Sequence, residues 1–219
     1  TLDPRSYRFQ IFQKHNSHLN FEIFNGFHGS QVTQEESVAF GLVTEDLSRS
    51  PMLTQGAVGC ALSHRSLWQS CENSNEGFLI LEDDCYTHPL IECFINGNIK
   101  FLMNSDVTFF GINTDSILET CNPQGLTSLS LFRPAHPDEQ WIKNAFSQTS
   151  MEIIMFNRFF KAFGFCAYFV SPKGAALMNQ LIFPLSLNTV EIPLISSAMP
   201  CISIDRSGCA FYSKMKAFI

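Results

Sequence analysis

The apolar positions along this chain change period several times, and each change predicts an element. Phe9, Phe12 and Leu19 recur among polar residues over 5–19, which predicts a helix after a turn at Asp3-Pro4. Phe21-Glu22-Ile23-Phe24 alternates like a short strand, and Gly26 and Gly29 mark the turn that ends it. Residues 30–55 are mostly polar and broken at Ser50-Pro51, so they read as a surface segment with one short helix near 34–40. Over 56–71 the spacing of Val58, Ala61, Leu62, Arg65 and Trp68 fits a helix with a buried stripe. A polar loop at 73–77 then leads into Phe78-Leu79-Ile80-Leu81, a continuous apolar run expected of a central strand covered on both faces. Residues 107–112 form a second such run and 165–170 a third, with a helix expected over 172–181. Between them, 113–140 carries Pro123, Gly125, Pro134 and Pro137 and reads as loop. The tail over 192–219 reads as short strands and loops in no assignable order.

Strands alternating with helices predict an α/β sandwich, and no repeat or boundary divides 1–219, so a single domain is expected. That length buries a sizeable core, on the order of 70% of the unfolded surface. The chain is 45% hydrophobic and holds 22 Phe, enough for a large core and for apolar patches that could meet a partner or a membrane surface. With 16% charged residues and a net charge of −6, it lacks the cationic surface that general nucleic-acid binding requires. Eight cysteines include no CxxC pair and none at zinc-finger spacing with a histidine. Several sit in apolar runs, as in Gly-Phe-Cys-Ala-Tyr, so reduced thiols and a cytoplasmic location are expected. No segment reaches the ~20 apolar residues of a membrane span. The opening at Thr1-Leu2-Asp3 shows no signal-peptide pattern and can be read as a trimmed start with a strand before it.

The apolar run at 78–81 stops at Glu82-Asp83-Asp84. On an extended backbone Glu82 and Asp84 would share a face, with Asp83 opposite. Converging carboxylates raise one another's pKa, and a hard divalent cation, Mn²⁺ or Mg²⁺, removes that repulsion. Ligands of open α/β sheets gather beyond the carboxyl ends of strands, where this cluster falls. The plainer reading is that the three acids cap a helix or face water.

Gly56-Ala57-Val58-Gly59-Cys60-Ala61-Leu62-Ser63-His64 is followed by Leu67-Trp68 and, eighteen residues after His64, by Glu82 in Ile80-Leu81-Glu82-Asp83-Asp84. Together these resemble glycosyltransferase family 25, which includes bacterial lipooligosaccharide galactosyltransferases and collagen galactosyltransferase domains. The opening Leu2-Asp3-Pro4-Arg5-Ser6-Tyr7-Arg8, the segment from Phe21 to Gly29, and Ala167-Tyr168-Phe169-Val170-Ser171-Pro172-Lys173-Gly174-Ala175 are similar to further family stretches in the right order. The resemblance covers roughly residues 1–200. Three features depart from the pattern. Ala57 stands where the family has Glu, Asn188-Thr189-Val190-Glu191 replaces a P-x-D stretch, and no histidine follows His136.

The resemblance implies a GT-A-like nucleotide-binding sandwich with a central mixed, mostly parallel sheet. It also implies metal-assisted transfer of a sugar, by family default galactose from a UDP-sugar, to a saccharide or glycolipid acceptor with inversion. Asp84 is then the principal metal ligand, Glu82 a second ligand or ribose contact, and Asp83 a group that orients either. Glu191 is the favoured general base, with Asp138 and Glu139 next. Ser63 and His64 would contact the donor, Arg8 and Arg5 its phosphates or base, and Gly56 and Gly59 would admit its backbone approach. Trp141 could stack on an acceptor sugar. A lipid-linked acceptor would place the protein at the inner membrane face. Two other functions use the same residues: a metal-dependent phosphohydrolase or nucleotidyltransferase, and an inactive sugar- or nucleotide-binding domain, which Ala57 favours.

Overall fold

The computed structural model describes residues 1–111, 113, 116–131, 137–148, 156–192 and 198–219. Pro134 and His136, named above, and the last residue of the predicted 107–112 run lie outside them. In chain order the elements are α1 (Tyr7–His15), α2 (Gln34–Ala39), α3 (Glu45–Ser48), α4 (Gln55–Glu72), β1 (Phe78–Leu81), α5 (Ile91–Asn104), β2 (Val107–Gly111), β3 (Ile117–Cys121), β4 (Thr127–Leu131) and α6 (Glu139–Gln148). They continue with β5 (Arg158–Ala162), β6 (Ala167–Val170), α7 (Pro172–Ile182), β7 (Thr189–Val190), β8 (Met199–Pro200), α8 (Ile204–Cys209) and β9 (Ala217–Phe218).

Helix starts follow their caps. The Thr54 side chain accepts from the Ala57 N–H and opens α4, which buries Val58, Ala61, His64, Trp68 and Cys71 at spacings of three and four. Ser171 caps α7 through the Gly174 N–H, with Pro172 in its first turn. Thr33 and Glu36 form a reciprocal capping box on α2.

The main sheet has the order β1-β6-β2-β9-β5-β3-β4, and β7 pairs with β8 apart from it. Only β2–β9 is parallel; the other five neighbouring pairs are antiparallel, which corrects the expected mostly parallel sheet. The cause is β6, which inserts between β1 and β2 and runs against both, with Val170 opposite Phe78 on one side and Val107 on the other. β1 is therefore an edge strand rather than a central one, with Ile80 buried and Phe78, Leu79 and Leu81 partly exposed. Phe109 packs on Phe159, Phe165, Tyr168 and Tyr212, while the next residue, Phe110, meets Phe94 of α5. Successive strand residues point to opposite faces, so this pair marks two layers of helix around one sheet.

Three other expectations change. Residues 21–24 form no strand; Phe21 instead docks edge-on against Phe9 and Phe12 of α1, and the amino terminus donates to the Phe24 carbonyl. The alternation there reflects that one-sided docking. The segment 30–55 is not all surface, because Leu42, Val43 and Leu47 enter the core and the Thr44 N–H donates to Leu185. The loop-rich stretch at 113–140 contains the hairpin β3–β4, and its Pro and Gly are the turn: Gly125 has φ +86°, and its N–H donates to Asn122.

Candidate functional site

The chain leaves β1 at Glu82 through a turn in which the Cys85 N–H donates to the Glu82 carbonyl. The alternation of an extended strand therefore ends there, and the three acids separate. Asp83 and Asp84 both face α1. Arg8 Nε lies 2.7 Å from Asp83 Oδ1, and Arg8 Nη2 lies 2.9 Å from Asp84 Oδ2. Burial pushes the Asp84 carboxyl above its ordinary value; Arg8 pulls it back, and Glu82 and Asp83 push it up again. Asp84 is itself about half exposed, and a carboxylate set among like charges has the chemistry that would suit a hard cation such as Mn²⁺ or Mg²⁺.

Asn16, fully buried at the end of α1, holds the loop beyond these acids. It donates to the Phe12 and Cys85 carbonyls and accepts from both the N–H and the hydroxyl of Thr87.

Glu82 turns the other way, into the protein. Its Oε1 lies 3.3 Å from His64 Nε2, and His64 Nδ1 lies 2.7 Å from the Tyr168 hydroxyl. Trp68 Nε1–H donates to that same hydroxyl at 2.8 Å. One proton assignment gives every hydrogen an acceptor: Trp68 to Tyr168, Tyr168 to His64 Nδ1, His64 Nε2–H to Glu82. Burial pushes the Tyr168 hydroxyl well above its ordinary pKa, so it keeps its proton.

Cys60 Sγ lies within 4.8 Å of the ligand atoms of His64 and Glu82, a spacing that could hold a metal ion. The relay argues otherwise. If Nε2 ligated a metal, its proton would move to Nδ1 and strand the Tyr168 hydroxyl hydrogen in the core, a cost of about 1–3 kcal/mol. Burial and the Glu82 and Asp205 charges also push the Cys60 thiol up to about 12.

Ser63 ties the segment before α2 to α4: its hydroxyl accepts from the Phe27 N–H and donates to the Gly59 carbonyl. Gly59 serves the same closeness, since a Cβ there would sit 2.5 Å from the Phe27 carbonyl oxygen. Gly56 is less crowded: a Cβ there would meet only Thr54 Oγ1, at an ordinary contact distance of 3.9 Å, among the described residues.

A pocket of about 250 Å³ opens beside Glu82. Gly56, Ala57 and Cys60 of α4 form one wall and Asn113, Gly164 and Phe165 another. Ser203, Ile204 and Asp205 complete it from the tail. Ser203 and the Arg206 N–H both donate to Asp205 Oδ1. The sequence reading missed Asp205 because it left the tail unassigned, although the Ser203-x-Asp205 spacing allows the local side-chain hydrogen bond that forms.

Of the residues predicted for the site, Glu82 and Gly56 line the pocket, His64 stands behind Glu82, and Arg8, Asp83 and Asp84 form the adjoining charged cluster. Ser63 and Gly59 lie along the same helix with packing roles. None of the three expected bases lines the pocket. Glu191 is exposed just beyond β7. Asp138 caps α6 through the Trp141 N–H, and Glu139 pairs with Lys143 and His15. Arg5 pairs only with Asp3 among the described residues, and Trp141 is exposed on α6. All eight cysteines are free thiols. Among the described residues no helix is long and apolar enough to cross a membrane.

These features define a class first: a layered α/β protein whose ligand pocket lies at the acidic end of a sheet strand, against the small-residue face of a helix. The chain belongs to glycosyltransferase family 25 (LPS biosynthesis protein), which matches residues 2–191. It is also similar to the "Lipooligosaccharide biosynthesis protein lex-1" of Haemophilus influenzae (strain ATCC 51907 / DSM 11121 / KW20 / Rd), with 39% identity over 57 residues. That match takes in 26% of this chain and 19% of the relative, so the chain spans about a fifth of the relative's length. No solved structure gives a significant match.

Proposed function

We propose that the protein transfers a hexose, by family default galactose, from a UDP-sugar to a saccharide acceptor with inversion, in a GT-A-like arrangement. The observation that carries this reading is the junction at the end of β1. There Glu82 faces a pocket that it shares with Asp205 and small or apolar side chains, while Asp83 and Asp84, with Arg8 beside them, form an adjoining site suited to a metal–diphosphate. A divalent cation held by Asp84 would offset the charge that gathers on the departing diphosphate. The chain's own residues do the rest. Arg8 offers a guanidinium to phosphate oxygens, the His64 relay holds Glu82 as an acceptor, and the small residues Gly56 and Ala57 leave room for the donor. The lipooligosaccharide role of the relative points to a glycolipid acceptor, reached at the cytoplasmic membrane face.

A panel of UDP-, GDP- and CMP-linked sugars, scored by thermal shift with and without Mn²⁺, tests the reading. One donor should stabilise the fold in a metal-dependent way. Asp84→Asn should abolish the metal dependence and lower turnover by about 10²–10³. Nucleotide affinity and manganese response that are unchanged in Asp84→Asn would refute it.

A further inference from the structure

The pocket beside Glu82 has a chemistry distinct from the Arg8 cluster. Two carboxylates line it, Glu82 from the end of β1 and Asp205 from the start of α8, together with the Asn113 amide and the Ser203 hydroxyl. No Lys, Arg or His lines it among the described residues. Each carboxylate has one oxygen fixed by the protein: Glu82 Oε1 by His64, and Asp205 Oδ1 by Ser203 and the Arg206 N–H. Among the described residues no hydrogen bond occupies the other oxygen of either. A phosphate would be repelled by such a lining, and an apolar ligand would strand four polar groups. A neutral ligand with several hydroxyl donors satisfies them, beside apolar lining from Ala57 and the nearly buried Phe165 and Ile204.

We infer that this pocket is a pyranose subsite, and that Asp205, which lies beyond the residues matching the family, accepts hydrogen bonds from sugar hydroxyls. The sugar then lies against Asp205 and Glu82, and any attached diphosphate points outward to Arg8 and Asp84. This deepens the proposed transfer activity by placing the sugar and phosphate ends of the donor.

The test has a sugar arm and a nucleotide arm. Saturation-transfer NMR with methyl galactoside, methyl glucoside and methyl N-acetylglucosaminide probes the pocket without any nucleotide. At least one should receive signal from the wild-type protein. Asp205→Ala should lower its affinity roughly ten- to a hundredfold, the worth of hydrogen bonds to a charged acceptor. Ala57→Leu, which fills the pocket from α4 while keeping the Asp205 side chain, should do the same and covers the case in which Asp205→Ala does not fold. UDP alone should bind wild type and Asp205→Ala equally. Absence of any hexoside signal from wild type, hexoside affinity that neither variant lowers, or a loss of UDP affinity in Asp205→Ala would each overturn the proposal. If a hexoside binds through Asp205 but no nucleotide sugar stabilises the protein, the subsite stands and the transfer reading fails.

Discussion

Two fully buried tyrosines offer a matched test of the relay behind Glu82. The Tyr168 hydroxyl accepts from Trp68 and meets His64, whereas the buried Tyr212 hydroxyl has no hydrogen-bond partner among the described residues. Tyr168→Phe removes one oxygen and leaves two buried groups, Trp68 Nε1–H and His64 Nδ1, without partners. Each orphan costs about 1–3 kcal/mol, so a loss of about 3 kcal/mol is expected. Tyr212→Phe removes a hydroxyl that is already unsatisfied, so it should be neutral or slightly stabilising. For a chain of this length about 3 kcal/mol corresponds to a drop in Tm of about 6–12 °C. Urea unfolding separates the pair cleanly: the midpoint of Tyr168→Phe should fall with the m-value unchanged, and that of Tyr212→Phe should hold. Nitrogen-15 spectra of the His64 ring add a readout that simple packing would not move, because Nε2 should carry the proton in wild type. If Tyr168→Phe costs no more than Tyr212→Phe, the relay does not hold Glu82.

Three further outcomes follow from the geometry. Gly59→Ala puts a methyl group 2.5 Å from the Phe27 carbonyl oxygen and should destabilise by about 1–3 kcal/mol in thermal melts. Asn16→Ala frees the 85–87 loop and strands the Cys85 carbonyl and the Thr87 N–H; it should lower stability by about 2–4 kcal/mol and raise amide exchange in that loop. Burial pushes the Cys209 thiol to about 12, while an unfolded thiol titrates near 9.0. Above pH 9 the unfolded chain therefore binds fewer protons, so stability should fall as pH rises toward 12, by at most about 1.4 kcal/mol per pH unit from this group. Cys209→Ala should flatten that slope in urea titrations at pH 9 and above.

Much of the helical layer was legible because its signals are local. Thr54, Thr33 and Ser171 cap the helices where the apolar spacing begins, and the Ser63-His64 and Glu82-Asp83-Asp84 motifs did lead to the pocket region. Strand direction was not legible, because β6 pairs with β1 and β2 across long stretches of chain and no periodicity within Ala167–Val170 reports its sense. An apolar run cannot tell a central strand from an edge, so β1 was misplaced. The acids' strand alternation failed at the 82–85 turn, which is set by a backbone hydrogen bond rather than by side-chain pattern. Asp205 escaped because the tail was left unassigned, and the local Ser203-x-Asp205 spacing does not say which distant segments the residue meets.

Arg8 gives the acid pair a resident counter-charge, and this shapes how the pair can be used. A cation at Asp84 would meet a carboxylate with one oxygen, Oδ2, already held by the guanidinium. The Arg8 side chain, more than half exposed and anchored on α1, would stay beside the newcomer with donors to spare. An anionic group arriving with the ion would engage those donors, so the two arrivals would be coupled.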